Sequence, residues 1–308
     1  MSFKIKFRGV RGSYPVVKGS HLKYGGNTSC IEVNINGKLI ILDAGTGIIE
    51  LGENLTREHI LSGSKTDDRT PVKATIILSH VHQDHIQGLP FFSPIFIKTT
   101  NLELFGPDTG KEKLKDIIST LLFDKGFPVS LEEIQGSINI SSFSQRQVLI
   151  IKENDEHILL NASEFKKEKT NDNDIIITSY KTTAHPKNGC LCIKIQYKDK
   201  MLVYATDKEC YVGSDKKFIE FAYGSDVLIH DSQYTHQDYI SPVMPKQGFG
   251  HSTFNMAIET AKLAKAKKLY FFHYDPNYDD NILDMLDKDF QNMTVDFNFS
   301  KENLEIAL

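Results

Sequence analysis

Ser79–His80–Val81–His82–Gln83–Asp84–His85 gathers three imidazoles and a carboxylate into one short stretch. Imidazole and carboxylate are ligands of choice for zinc and similar divalent ions. The apolar run Ala74–Leu78 leads directly into it. In extended chain, residues two apart point the same way, so His80 and His82 can reach one ion together. Asp84 and His85 lie just beyond, where the chain turns toward a helix, and can serve a second ion beside the first.

Other residues of the same chemistry recur just past strand-like runs. His185 follows Ile175–Thr182, Asp207 follows Met201–Tyr204, and His273 follows Leu269–Phe272. Asp231 follows Val227–Ile229, with His230 before it as a structural residue, and His251 opens a helix. His21, His59, His157 and His236 sit in polar contexts and read as surface residues. Ligand-type residues at successive strand ends point to a layered α/β plan with a site along one sheet edge.

The elements that must position these groups follow from hydrophobic periodicity. Phe3, Ile5 and Phe7 alternate with Lys4, Lys6 and Arg8, which predicts a strand with one buried face. Ile31, Val33 and Ile35 alternate in the same way. Asn36–Gly37 predicts a tight hairpin, because both residues tolerate positive φ. The returning strand Leu39–Leu42 runs into Asp43–Ala44–Gly45–Thr46–Gly47, with a short helix from about Gly47. Lys111–Lys125 reads as one amphipathic helix with Leu114, Ile117, Ile118 and Leu121 on its apolar face. Residues 127–151 read as irregular with one or two strands, and residues 152–173 as charged and exposed. The second half echoes the first: a hairpin over Cys192–Tyr197 and Met201–Tyr204 again ends at an aspartate, Asp207. Ser252 or Thr253 caps the helix that follows, which packs through Ala257, Ala261 and Ala264. The echo argues for one domain, 1–308, built from two similar halves. Within it, residues 92–173 are expected to shape a pocket or form a subunit contact, making a homodimer, with Phe123–Pro128 as a lid, a dimer contact or an ordinary core-anchored loop.

The chain has 308 residues and a net charge of −4 without a dense Lys/Arg block, so charge does not call for nonspecific nucleic-acid binding. Its four cysteines form no pair of C-x-x-C motifs, which argues against a zinc ribbon. Cys190 and Cys192, two apart in an apolar run, read as buried free thiols. No stretch approaches the ~20 apolar residues of a membrane span. The opening residues show no apolar signal-peptide core, and a cytoplasmic setting is expected.

The motif His80-x-His82-x-Asp84-His85, with His185, Asp207 and His273 downstream, resembles the metallo-β-lactamase superfamily. Gly9–Val10–Arg11–Gly12–Ser13, Tyr24–Cys30, Leu42–Gly47, His85–Phe92 and Gly250–Thr253 resemble one branch of it. That branch contains RNase Z and phosphodiesterases acting on cyclic nucleotides or cyclic phosphates. The resemblance implies a four-layer αββα sandwich with two divalent metal ions, zinc in the first instance, with manganese or iron as alternatives. It assigns His80, His82 and His185 to one metal and Asp84, His85 and His273 to the other. Asp207 bridges them, and Asp43 orients ligand histidines. Two ions sharing a water lower its pKa from about 15.7 toward about 7, giving a hydroxide nucleophile. The leaving group then needs a proton donor. His251, partnered by Asp231 where RNase Z has glutamate, is the expected acid. The implied activity is phosphodiester hydrolysis on a small phosphodiester or nucleotide. RNA is less favoured, because no Gly/Pro-rich basic arm is evident. The alternatives are a thioester hydrolase of the same superfamily and a non-catalytic metal- or nucleotide-binding protein.

Overall fold

The alternating N-terminal segment forms strand β1 (Phe3–Gly9), with Phe3, Ile5 and Phe7 fully buried. In this computed structural model the described residues are 2–124, 126–211, 215–291 and 295–308. They divide into two compact units, 1–143 with 301–308, and 144–300. The boundary falls inside the 92–173 region.

In the first unit β1 is followed by β2 (Cys30–Ile35), β3 (Lys38–Leu42), β4 (Lys73–Ile77), β5 (Asn101–Gly106) and β6 (Ser137–Ser142). With the C-terminal strand β15 (Glu305–Ala307) they make a sheet ordered β15-β1-β2-β3-β4-β5-β6. The first three pairings are antiparallel and the last three parallel. The predicted hairpin is present: Ile35 pairs with Lys38, and Asn36 and Gly37 have φ of 49° and 86°. The near-continuous apolar run of β4 suits a parallel strand covered on both faces.

Helix α1 (Gly47–Leu61) is longer than expected. At Gly52 the helix approaches Phe92 and Pro94 so closely that a Cβ would lie 2.8 Å from the phenyl ring, which is why glycine stands there. The helix carries His59 into the interior, where Nδ1 lies 2.8 Å from the Thr70 carbonyl oxygen. His59 is therefore not a surface residue, and neither is His21, also buried. Helix α2 (Gln83–Ile86) takes His82 as its N-cap. The expected helix over 111–125 is shorter. Helix α3 (Leu114–Ile118) gives way to a π-helical turn, Ser119–Asp124. The wider turn shifts the apolar face by a residue. Leu121 is accordingly exposed, while Leu122 and Phe123 are buried. Lys125, within the expected lid piece, lies outside the described residues.

In the second unit β7 (Gln147–Ile151) and β8 (His157–Asn161) form an antiparallel pair. Strand β8 and the following short helix α4 (Ala162–Phe165) lie within the segment expected to be merely charged and exposed. As an edge strand, β8 is only half-buried, so its sequence alternates weakly. Then come β9 (Ile175–Thr182), β10 (Cys190–Tyr197), β11 (Lys200–Ala205), α5 (Lys216–Ala222), β12 (Val227–Asp231) and α6 (His236–Tyr239). Helix α7 (Phe254–Leu263), β13 (Lys268–Phe272), α8 (Asp280–Phe290) and β14 (Phe297–Phe299) complete it. The sheet order is β14-β13-β12-β11-β10-β9-β7-β8. Strands β11 to β14 run parallel, and the remaining pairings are antiparallel. Thr253 caps α7, its hydroxyl accepting from the Met256 amide. Ala257, Ala261 and Ala264 are buried as expected. Phe254, Phe271, Tyr274 and Phe299 pack ring on ring beneath it.

Candidate functional site

The first unit assembles its donors at the ends of β3 and β4. Strand β3 ends at Asp43, held at φ 60°, a left-handed conformation that aspartate tolerates better than most residues. This buried carboxylate organises the loop beyond β4. Its Oδ1 accepts the Ser79 amide at 2.7 Å, and its Oδ2 accepts the Ser79 hydroxyl at 2.8 Å. The same Oδ2 lies 2.8 Å from His85 Nδ1. Because the Ser79 hydroxyl gives its proton to Asp43, its lone pair faces His80 Nδ1, 3.0 Å away. That network assigns the ring proton of both His80 and His85 to Nδ1. Each Nε2 is then a lone-pair donor, the arrangement found in metal-ligating histidines.

His80 and His82, two apart in extended chain, are brought together with ring centroids 4.5 Å apart, and His80 and His85 with centroids 4.3 Å apart. Asp84 and His85 lie within α2 rather than before it. Asp84 Oδ2 accepts the Ser13 amide at 2.7 Å and lies 3.4 Å from His85 Nε2. The Gly9–Ser13 loop thereby fixes the carboxylate.

The second unit repeats the device. Strand β11 ends at Asp207, again left-handed at φ 48°. Its two oxygens face two different rings: Oδ2 lies 3.5 Å from His185 Nε2, and Oδ1 lies 3.3 Å from His273 Nε2. His185 Nδ1 lies 3.3 Å from the Gly250 carbonyl oxygen, and His273 Nδ1 lies 2.9 Å from Gln233 Oε1. Both rings again carry their proton on Nδ1 and turn Nε2 toward the carboxylate. His273 sits at φ 66°, costly for so bulky a side chain and held by its surroundings.

His251 is different. Its Nδ1 lies 2.8 Å from Asp231 Oδ2, with Asp207 Oδ2 farther away at 3.9 Å. Asp231 is fully buried at the end of β12 and also accepts the Lys208 and Gln233 amides at 3.1 Å each. The His251 ring stacks on His273 at 5.0 Å and meets His185 edge-on at 5.1 Å. Asp207, His251 and His273 bring donor atoms within 4.8 Å of one another. With Nδ1 committed to Asp231, the second ring nitrogen of His251 is Nε2.

Two residues of this arrangement, Gln233 and Glu209, were not singled out in the sequence, and Ser79 and Gly250 were quoted there only as parts of motifs, without these roles. Ser79 is the neighbour of His80, so adjacency was its only signal. Gln233 orients His273 from another strand end, and the Gly250 carbonyl orients His185; neither has a local signature. Glu209, two residues after Asp207, accepts the Gly248 and Gly250 amides. His230 is buried as expected, with Nε2 3.6 Å from Cys210 Sγ. Burial raises the Cys210 thiol, but His230 and Lys208 outweigh it and bring it down to about 7. All four cysteines are buried free thiols. No helix among the described residues is long and apolar enough to cross a membrane.

The donor chemistry suits divalent metal: buried imidazoles with Nδ1 on an acceptor, accompanied by buried carboxylates.

A family model described as a β-lactamase superfamily domain matches residues 38–274. A ribonuclease Z of Picrophilus torridus is 27% identical, the match covering 99% of this chain and 95% of the relative. Among solved structures, the metallo-β-lactamase fold protein YhfI from Bacillus subtilis is 18% identical, covers 100% of both chains and has a TM-score of 0.65. The short form of human tRNase Z is 17% identical, covers 98% of both chains and has a TM-score of 0.56. The two mixed sheets with flanking helices are those of the metallo-β-lactamase fold, and the chain belongs to the β-lactamase superfamily.

Proposed function

We propose that this chain is a metal-dependent hydrolase of phosphodiesters in which His251 is the leaving-group acid. The observation that carries the reading is the buried His251–Asp231 pair at 2.8 Å, beside Asp207. His80, His82 and His185 would serve one divalent ion, Asp84, His85 and His273 a second, and Asp207 both. Zinc suits these donors, with manganese or iron as alternatives. Such ions supply Lewis acidity toward phosphoryl oxygens and a water that ionises near neutral pH.

The chain's own residues do the rest. Asp231 fixes the His251 ring through Nδ1 and stabilises its protonated form. Nε2 is then left to hand its proton to the departing alkoxide, a contribution worth about 10²–10⁴ in rate. Asp43, Ser79, Gln233 and the Gly250 carbonyl keep the donor rings in one orientation. Thioester cleavage expels a weakly basic thiolate and has little use for such an acid, which ranks that reading below. A purely binding role leaves the acid pair unexplained.

The substrate has two readings. A small phosphodiester or nucleotide agrees with the net charge and the lack of a basic arm. A precursor RNA is favoured by the ribonuclease Z relative that this chain matches over 99% of its length. Four buried free thiols agree with a cytoplasmic setting. The test is a panel of cyclic nucleotides, linear diesters, thioesters and a tRNA precursor with defined metals. Diester or RNA turnover supports the reading. Turnover of thioesters alone, or binding without turnover, overturns it.

A further inference from the structure

Glu209 is almost fully buried, and among the described residues its carboxylate holds one segment of chain. Its Oε1 accepts the Tyr239 hydroxyl at 2.6 Å and the Gly248 amide at 2.8 Å. Its Oε2 accepts the Gly250 amide at 2.9 Å. Tyr239 ends α6, so one carboxylate pins both ends of the connection from α6 to His251. Between those ends no residue from 240 to 249 is buried, and Val243, Met244 and Phe249 are well exposed. Apolar packing therefore contributes little to holding the segment.

Gly250 is where the position matters. It sits at φ 93°, and a Cβ there would lie 2.3 Å from His185 Nδ1. The next residue is His251, whose bond to Asp231 depends on where the Gly250 peptide lies. We propose that Glu209 is a positioning residue for His251, acting through the Gly250 amide. It accepts from three donors of this segment and acts on the reaction only through the backbone it holds. A buried carboxylate bonded to two amides and a hydroxyl is a strong, directional tie, and the small geometric errors it prevents are costly in catalysis.

This inference rests on His251 being the leaving-group acid, so its signature is dependence on the leaving group. Glu209→Gln keeps the shape but can offer an acceptor to only one side, which sets an amide donor against an amide donor at Gly250 or at Gly248. With metal-loaded protein, kcat on an alkyl or nucleoside diester should fall about tenfold or more. On a p-nitrophenyl diester, which needs no acid, it should stay within about threefold, with KM and metal content unchanged. Tyr239→Phe, which leaves the Gly250 bond intact, should not alter the ratio between the two substrates. In a His251→Ala background, Glu209→Gln should no longer alter it. Where Glu209→Gln does not fold, Glu209→Asp, too short to reach both ends, gives the same readout.

Equal losses on both substrates, or a ratio change that persists without His251, overturn the inference. If the wild type cleaves no diester, the phosphodiesterase reading fails instead. The positioning is then read from the downfield His251 Nδ1 proton resonance. Broadening or loss of that signal in Glu209→Gln supports the role, and an unchanged signal overturns it.

Discussion

His251 Nδ1 lies 2.8 Å from Asp231 Oδ2, and both side chains are buried. Asp231 also accepts two backbone amides, so its oxygens are fixed before substrate arrives. An imidazole held this way is oriented and stabilised when protonated. Nε2 is the ring nitrogen to which the proposed proton transfer is assigned.

Removing the acid should therefore cost rate where the leaving group is poor. His251→Ala is expected to lower kcat on an alkyl or nucleoside phosphodiester by about 10²-fold or more, with bound metal unchanged. Steady-state kinetics with metal analysis on the same preparation checks this. Wild-type turnover by the variant would remove His251 from the mechanism.

Asp207 turns one oxygen toward His185 and the other toward His273. Asp207→Ala should accordingly lower metal occupancy, reading as at least one ion lost per chain by elemental analysis. Full occupancy would show that Asp207 is not a shared ligand.

Gln233 tests the supporting partners without touching a donor atom. Its Oε1 is 2.9 Å from His273 Nδ1, and it is buried. Gln233→Leu leaves the ring without that acceptor, and metal affinity should fall about 10- to 100-fold. Competition with a chelator of known affinity measures it. Unchanged affinity would mean that His273 needs no such partner.

The residue after Asp207, Lys208, is buried with Nζ 3.2 Å from Asp215 Oδ2 and 4.6 Å from the Phe218 ring centroid. Burial raises the Asp215 carboxyl, but the Tyr180 hydroxyl, Lys208 and the Phe218 amide outweigh it and hold it below 3.8. A carboxylate lowered in the folded state adds stability above its unfolded value, and that stability is lost as pH falls through the folded value. Asp215 is about a third exposed, so the pair is partly screened. Asp215→Asn should cost up to about 1 kcal/mol near neutral pH, and the gap should narrow as pH falls through the lowered folded value of Asp215. Urea unfolding across that range measures it, and a gap independent of pH would contradict the assignment.

Where one periodicity or one turn decided the structure, the sequence was readable. The alternation of Phe3, Ile5 and Phe7, the Asn36–Gly37 turn, and the apolar run before His80 each specify their element locally. So did the position of donors past strand ends, because strands that run parallel finish at the same sheet edge. What could not be read depends on contacts distant in the chain. The length of α1 follows from packing, with Gly52 set closely against Phe92, and the longer helix carries His59 inside. The π-helical turn at Ser119–Asp124 displaces a face that a 3.6-residue period assigns to Leu121. Gln233 and Glu209 act on residues 40 and 41 positions away, at His273 and Gly250, and no short-range pattern marks them.

The central claim, metal-dependent phosphodiester cleavage, is tested most directly by hydrolysis of bis(p-nitrophenyl) phosphate. Wild-type protein should turn it over when loaded with zinc or manganese, lose activity on chelation and regain it when metal is restored. Fully loaded protein that binds cyclic nucleotides yet hydrolyses neither this diester nor any other would contradict the account.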